Sequence, residues 1–167
     1  MGVPDYSHDG GRRFYCTYNL ENYYLGCHRY HSSDKFDGDS TLLMVHNNPK
    51  FYGENFSYEY FSNEFCLYYK DDRDGMKNWM LYIRKQENTD YYIPMFHRNK
   101  CSKFILETVD NDNDSFLIKE TQNNVYLYMN LAKPRDLNSF GCSFYVGASK
   151  EKNKATKFKY IDIERLT

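Results

Sequence analysis

The chain has 167 residues, a formal net charge of -1, 41% hydrophobic residues and 27% charged residues. That length suits one compact domain, and the near-neutral balance argues against nucleic acid as a partner, which selects for a clear basic excess. No apolar run reaches the length of a membrane span, so no membrane insertion is expected, while 19% aromatic residues, with 18 Tyr and 12 Phe, exclude the disorder that a mean hydropathy of -0.85 would otherwise suggest.

Residues 1–13 read as an N-terminal tail without a basic-then-apolar leader. A mature secreted chain carrying an added Met1 is favoured slightly over a cytosolic one. From Phe14 onward, apolar residues alternate with polar ones and no 3.6-residue period is sustained, so every element is read as a strand. Phe14-Tyr15-Cys16 opens a first run, Tyr23-Tyr24-Leu25-Gly26-Cys27 a second, Leu42-Leu43-Met44-Val45 a third and Phe56-x-Tyr58-x-x-Phe61 a fourth. The same order returns as Phe65-Cys66-Leu67, Trp79-Met80-Leu81-Tyr82-Ile83, Tyr91-Tyr92-Ile93 and Phe104-x-Leu106-x-x-Val109. It returns again as Phe116-Leu117-Ile118, Val125-Tyr126-Leu127-Tyr128-Met129, Phe144-Tyr145-Val146 and Phe158-x-Tyr160-x-x-Ile163. The opening phenylalanines stand 51 residues apart both times. Three four-strand units follow, at about 14–62, 63–112 and 113–165, within one domain over 14–167. One such unit cannot bury its apolar face alone, so three copies should close around a pseudo-threefold axis.

Alternation assigns faces. Phe14, Cys16, Tyr18, Tyr23, Leu25, Cys27, Phe56, Tyr58, Phe65, Leu67, Trp79, Leu81 and Ile83 point inward. So do Phe104, Leu106, Phe116, Ile118, Val125, Leu127, Met129, Phe158 and Tyr160. Tyr15, Tyr24, Tyr68, Tyr82, Tyr126 and Tyr128 point outward and offer a contact surface at low entropic cost. Cys16 and Cys27 read as buried thiols in hydrophobic positions rather than as a disulfide. Cys66, Cys101 and Cys142 fall off the core phase or in loops, so a disulfide is expected among them if one forms. The turn at Gln122-Asn123-Asn124 suits left-handed backbone.

Three units of about 50 residues, each closed by Phe-x-φ-x-x-φ, resemble a β-trefoil, and the resemblance covers Phe14 to Ile163. The stretch 118–127 is similar to the hairpin of fascin-like and growth-factor-like trefoils. The resemblance implies an all-β fold of twelve strands, with function carried by loops on a rigid scaffold. No nucleophile elbow, phosphate loop or zinc-helix motif occurs, so the chain reads as non-enzymatic, with no cofactor and no metal.

Lectin-like carbohydrate binding is the first expectation. Planar polar side chains with aromatic faces occur at His28, Tyr30, His31, Asp34, Asp37 and Asp39, and again at Lys133, Arg135, Asp136 and Asn138. The Gln-x-Trp signature of ricin-type lectins is absent. A second expectation is a cytokine- or growth-factor-like protein ligand that meets an anionic glycosaminoglycan through Lys150, Lys152, Lys154 and Lys157. A third is a trefoil protease inhibitor presenting Arg73 or Asn78 from the 71–78 turn. Asp110, Asp112 and Asp114 read as a polar interunit turn rather than a calcium loop.

Overall fold

The computed structural model describes residues 11–27, 40–47, 56–61, 63–71, 77–136 and 142–162. Twelve strands lie among them: β1 (Arg12–Tyr18), β2 (Glu21–Cys27), β3 (Ser40–His46), β4 (Ser57–Phe61), β5 (Glu64–Asp71), β6 (Lys77–Lys85), β7 (Tyr92–His97), β8 (Phe104–Val109), β9 (Asp112–Glu120), β10 (Val125–Asp136), β11 (Cys142–Ser149) and β12 (Lys159–Asp162). One 3₁₀ turn at Lys152–Lys154 interrupts them. The protein is therefore all-β, in a single antiparallel sheet system. β-Branched and aromatic residues alternating with polar ones cannot hold a helical stripe but fit a pleated surface.

The pairings repeat three times. Within each unit, a residue of the first strand bridges the phenylalanine that opens the fourth run: Arg12 with Phe56, Phe65 with Phe104, Phe116 with Phe158. Two of these bridges carry reciprocal backbone hydrogen bonds of 2.8 Å. Between units, each last strand pairs with the next first strand, β4 with β5, β8 with β9, and β12 with β1. The second and third strands of each unit form hairpins, and the three third strands pair mutually, β3–β7, β7–β11 and β11–β3.

The core sits inside these pairings. Phe14, Phe56, Phe65, Phe96, Phe104, Phe116 and Phe158 are buried in one cluster with Trp79. Aromatic edges meet faces throughout: Tyr69 stands T-shaped against Phe56 and Phe96 at 5.7 and 5.0 Å, and Phe116 stacks on Tyr160 at 5.5 Å. Every inward residue expected from alternation and described here is buried or, for Tyr18, Met129 and Tyr160, packed half-buried against the cluster. The side chain of Tyr58 lies outside the described residues.

Two face assignments need correction. Tyr126 is buried rather than outward, because the Lys119 ammonium of β9 covers its ring at 5.6 Å and its hydroxyl donates to the Glu107 carboxylate of β8 at 3.1 Å. Cys66 is fully buried although it lies off the core phase, because its Sγ is capped by Cys101 from the segment before β8. Alternation sorts the two faces of a strand, but both can be covered when a connection crosses the outer one.

Turns carry the chemistry their geometry demands. Asn124 has φ 55°, as its place in the β9–β10 turn requires, and the buried Glu120 carboxylate accepts the Gln122 and Asn123 amides at 3.1 and 3.0 Å. The β1–β2 turn uses Asn19 and Leu20, both left-handed, with Leu20 fully exposed. Asp112 accepts the Asp114 amide at 3.0 Å beside left-handed Asn111, an Asx turn that occupies this carboxylate locally. Cys16 pairs opposite Tyr23 and Cys27 opposite Leu43, so the two thiols are not cross-strand partners. Burial pushes the Cys16 thiol up to about 12, which keeps it protonated and inert.

Candidate functional site

Where the third strands converge, the surface opens into a cleft of about 230 Å³. Its floor is apolar, with Leu42 and Leu43 from β3, Ile93 and Pro94 from β7, and Val146 from β11. Tyrosines complete its lining: Tyr91 just before β7, Tyr92 on β7, Tyr128 on β10 and Tyr145 on β11, with Asn130 of β10. Tyr91 is 53% exposed at the rim. The loop that carries it is stiff for its length. The Gln86 amide donates to the Tyr91 carbonyl at 3.0 Å, and the Tyr91 amide donates to Thr89 Oγ1 at 3.2 Å. Asn130 Oδ1 accepts the Ala132 amide at 3.1 Å, so the side-chain NH₂ is the group it can offer a ligand.

Gly147 makes the Tyr128 wall possible. The two residues are cross-strand partners on β10 and β11. A Cβ at position 147 would stand 2.6 Å from the Tyr128 hydroxyl oxygen and closer still to its ring. The ring lies flat over the glycine, in the space a side chain would fill. Among the described residues that line the cleft, none is an acid, a histidine or a cysteine. Such a lining can stack and hydrogen-bond a ligand.

The residues expected from sequence fall as follows. His28, Tyr30, His31, Asp34, Asp37, Asp39, Arg73 and Asn138 lie outside the described residues. Lys133, Arg135 and Asp136 sit on the distal half of β10, after an irregularity between Met129 and Pro134, with Arg135 opposite Ser143 and Asp136 opposite Cys142. Asn78 sits on β6 opposite Lys70. The two expected sugar-binding sets are rooted at opposite ends of β3. Segment 28–39 joins Cys27 to Ser40, whereas Ser143, next to the Asp136–Cys142 pair, lies opposite His46. Six residues of strand separate those roots by roughly 20 Å. Each root stands two positions along its strand from a cleft residue, Ser40 from Leu42 and Ser143 from Tyr145.

The lysine corner is described, and its charges have acidic neighbours. Lys152 pairs with Glu107, Lys154 with Glu151 at 2.8 Å, and Lys150 stands 4.0 Å from Asp90. Lys157 acts on Asp112 and helps hold that carboxyl below its ordinary value, after the backbone hydrogen bond from Asp114.

Sequence reasoning missed the cleft because its walls come from residues some 50 positions apart that share no local motif. One signal was present: Gly147 ends an aromatic strand run, and a glycine inside a strand marks close approach of another group.

No protein-family model matches the sequence, and no curated protein matches it. Among solved structures, the chain is similar to one described as "type II water soluble Chl binding proteins", with a TM-score of 0.58 and 9% sequence identity over 93% of this chain and 92% of that one. At that identity the likeness concerns the fold, which extends over nearly the full length of both chains.

Proposed function

We propose that the chain is a β-trefoil that binds carbohydrate through the tyrosine cleft. Support for the trefoil comes from the threefold pattern of pairings. First and last strands alternate around one ring, and the three hairpins meet at their third strands. Such closure leaves few exposed sheet edges and a rigid platform.

The observation that carries the sugar reading is the composition of the cleft. Tyrosine faces can stack the C–H side of a pyranose ring. Tyrosine hydroxyls and the Asn130 amide can meet its hydroxyl groups above an apolar floor. A volume of about 230 Å³ suits a terminal sugar unit. The sequence-based candidates His28, His31, Asp34, Asp37 and Asp39 join this reading as sources of further polar contacts to a longer glycan.

A glycan array followed by titration calorimetry tests the reading. We expect one glycan class to bind at micromolar to millimolar strength, about -8 to -4 kcal/mol. Tyr91→Ala and Asn130→Ala should each weaken it at least tenfold without lowering the melting temperature. Absence of any binder at millimolar concentration, or binding indifferent to both substitutions, overturns it.

A further inference from the structure

We infer that Cys66 and Cys101 form a redox modification site, a dithiol that a small-molecule disulfide converts into an intramolecular disulfide. Their Sγ atoms stand 2.8 Å apart. Bond formation needs an approach of only about 0.8 Å, within the reach of a side-chain rotation. The two thiols are unequal, as a two-step oxidation requires. Cys101 is exposed on the connection between β7 and β8, while Cys66 is fully buried on β5. Cys101 is therefore the thiol that meets solvent reagents, and Cys66 is the resolving thiol behind it.

The surroundings hold this pair in place. The neighbouring residue, Ser102, is buried, donates its amide to the Leu81 carbonyl at 3.0 Å and accepts the Ile83 amide on its Oγ at 2.9 Å. The connection is thereby pinned to β6. Beside Cys101 lies a polar recess of about 350 Å³ lined by Glu64, Lys103, Thr121 and Gln122. It offers one cation and one anion next to the reactive sulfur, which suits a small zwitterionic disulfide. The other thiols lack this arrangement. Cys16 and Cys27 are buried, and Cys142 is half-buried on β11 beside Asn47.

The chemistry balances with such a disulfide, RSSR, as oxidant. The Cys101 thiolate attacks one sulfur of RSSR, giving Cys101–S–S–R and releasing RS⁻, which takes up the proton Cys101 lost. Cys66, on losing its proton, attacks Cys101 Sγ, forms the Cys66–Cys101 bond and expels the second RS⁻, which is protonated in turn. Two thiols and one RSSR become one protein disulfide and two RSH. The product ties the start of β5 to the connection before β8, at the seam where Phe65 pairs with Phe104.

The test uses the full chain, reduced, desalted and then exposed to oxidised glutathione. Samples are quenched in acid, denatured, blocked with N-ethylmaleimide and mapped by mass spectrometry. We expect a mass loss of two hydrogens and a fall in titratable thiols from five to three. A peptide joining Cys66 to Cys101 should appear, with a higher melting temperature than the reduced protein. Cys101→Ser, a surface change, should keep its remaining thiols and form no cross-link. A glutathione adduct that persists on Cys101, a cross-link between any other pair, or five thiols surviving treatment overturns the proposal.

Discussion

Tyr128 and Gly147 face each other across the β10–β11 ladder, and the tyrosine ring occupies the space where a side chain at 147 would stand. The glycine is thus a packing partner whose contribution is its missing atom. Gly147→Ala should push the Tyr128 ring into the cleft, because the ring's far end is the only part free to give way. The expected loss of stability is about 1–3 kcal/mol, with glycan binding abolished. Adding Tyr128→Ala to that variant should return most of the stability and none of the binding. Thermal unfolding and calorimetry of the three variants check this, and independence of the two substitutions would contradict it.

His46 and Ser143 are both fully buried, joined at 2.5 Å across β3 and β11, and the other ring nitrogen of His46 meets the Cys27 carbonyl at 2.9 Å. Because that carbonyl can only accept, Nε2 carries the proton and Nδ1 accepts from the serine hydroxyl. Ser143→Ala would leave Nδ1 buried without that donor. The expected destabilisation is about 1–3 kcal/mol, seen as a lower urea midpoint at unchanged slope. An unaltered midpoint would show that the hydroxyl contributes nothing.

Glu107 receives the Lys152 ammonium and the Tyr126 hydroxyl. Burial pushes its carboxyl up, but those two hydrogen bonds, with the charges of Lys152 and Lys119, outweigh burial and hold it below its ordinary value. A depressed carboxyl stabilises the fold above its unfolded value of about 4.3, and that contribution is lost as the pH falls through the folded value. Lys152 is raised, first by its hydrogen bond to Glu107 and then by that carboxylate's charge. Its contribution is complete below about 10.4 and is lost as the pH rises through the folded value. Glu107→Gln should therefore lower the melting temperature at pH 7 by a small margin, since the ammonium is solvated. The margin should vanish toward pH 3. A margin that stays constant from pH 7 to pH 3 would refute the ionic account.

The lysine corner makes a prediction about anionic partners. With Lys152 and Lys154 paired to Glu107 and Glu151, the native chain should pass through heparin resin unretained at about 0.15 M salt, where the screening length is about 8 Å. The double variant Glu107→Gln, Glu151→Gln should elute later than the native chain at low salt. Firm retention of the native chain at physiological salt would favour the growth-factor-like reading.

The core was legible in sequence because it repeats. Phe14, Phe65 and Phe116 occur at one spacing, and all three are buried. Alternation then ordered the residues on either side of each. Its failures have one physical origin, which is contacts made from outside the strand. Tyr126 is outward by phase, yet Glu107 on β8 gives its hydroxyl a partner and lets the ring settle. Cys66 is outward by phase, yet Cys101 closes over it. The cleft was illegible for the same reason. Leu42, Ile93 and Tyr145 become neighbours only when β3, β7 and β11 pair, and no window of sequence contains all three.

The pairing of β12 with β1 sets Asp162 opposite Arg12, whose buried guanidinium holds the Asp162 carboxylate at 2.7 Å and lies 4.1 Å over the Tyr160 ring. A strand that begins at Arg12 is therefore completed by a residue 150 positions further along the chain. Until β12 pairs with it, Arg12 keeps its backbone bridge to Phe56 but lacks the Asp162 carboxylate and the Tyr160 ring. A contact closed over so long a stretch costs chain entropy before packing offsets it, which makes the β1–β12 seam a late event in folding.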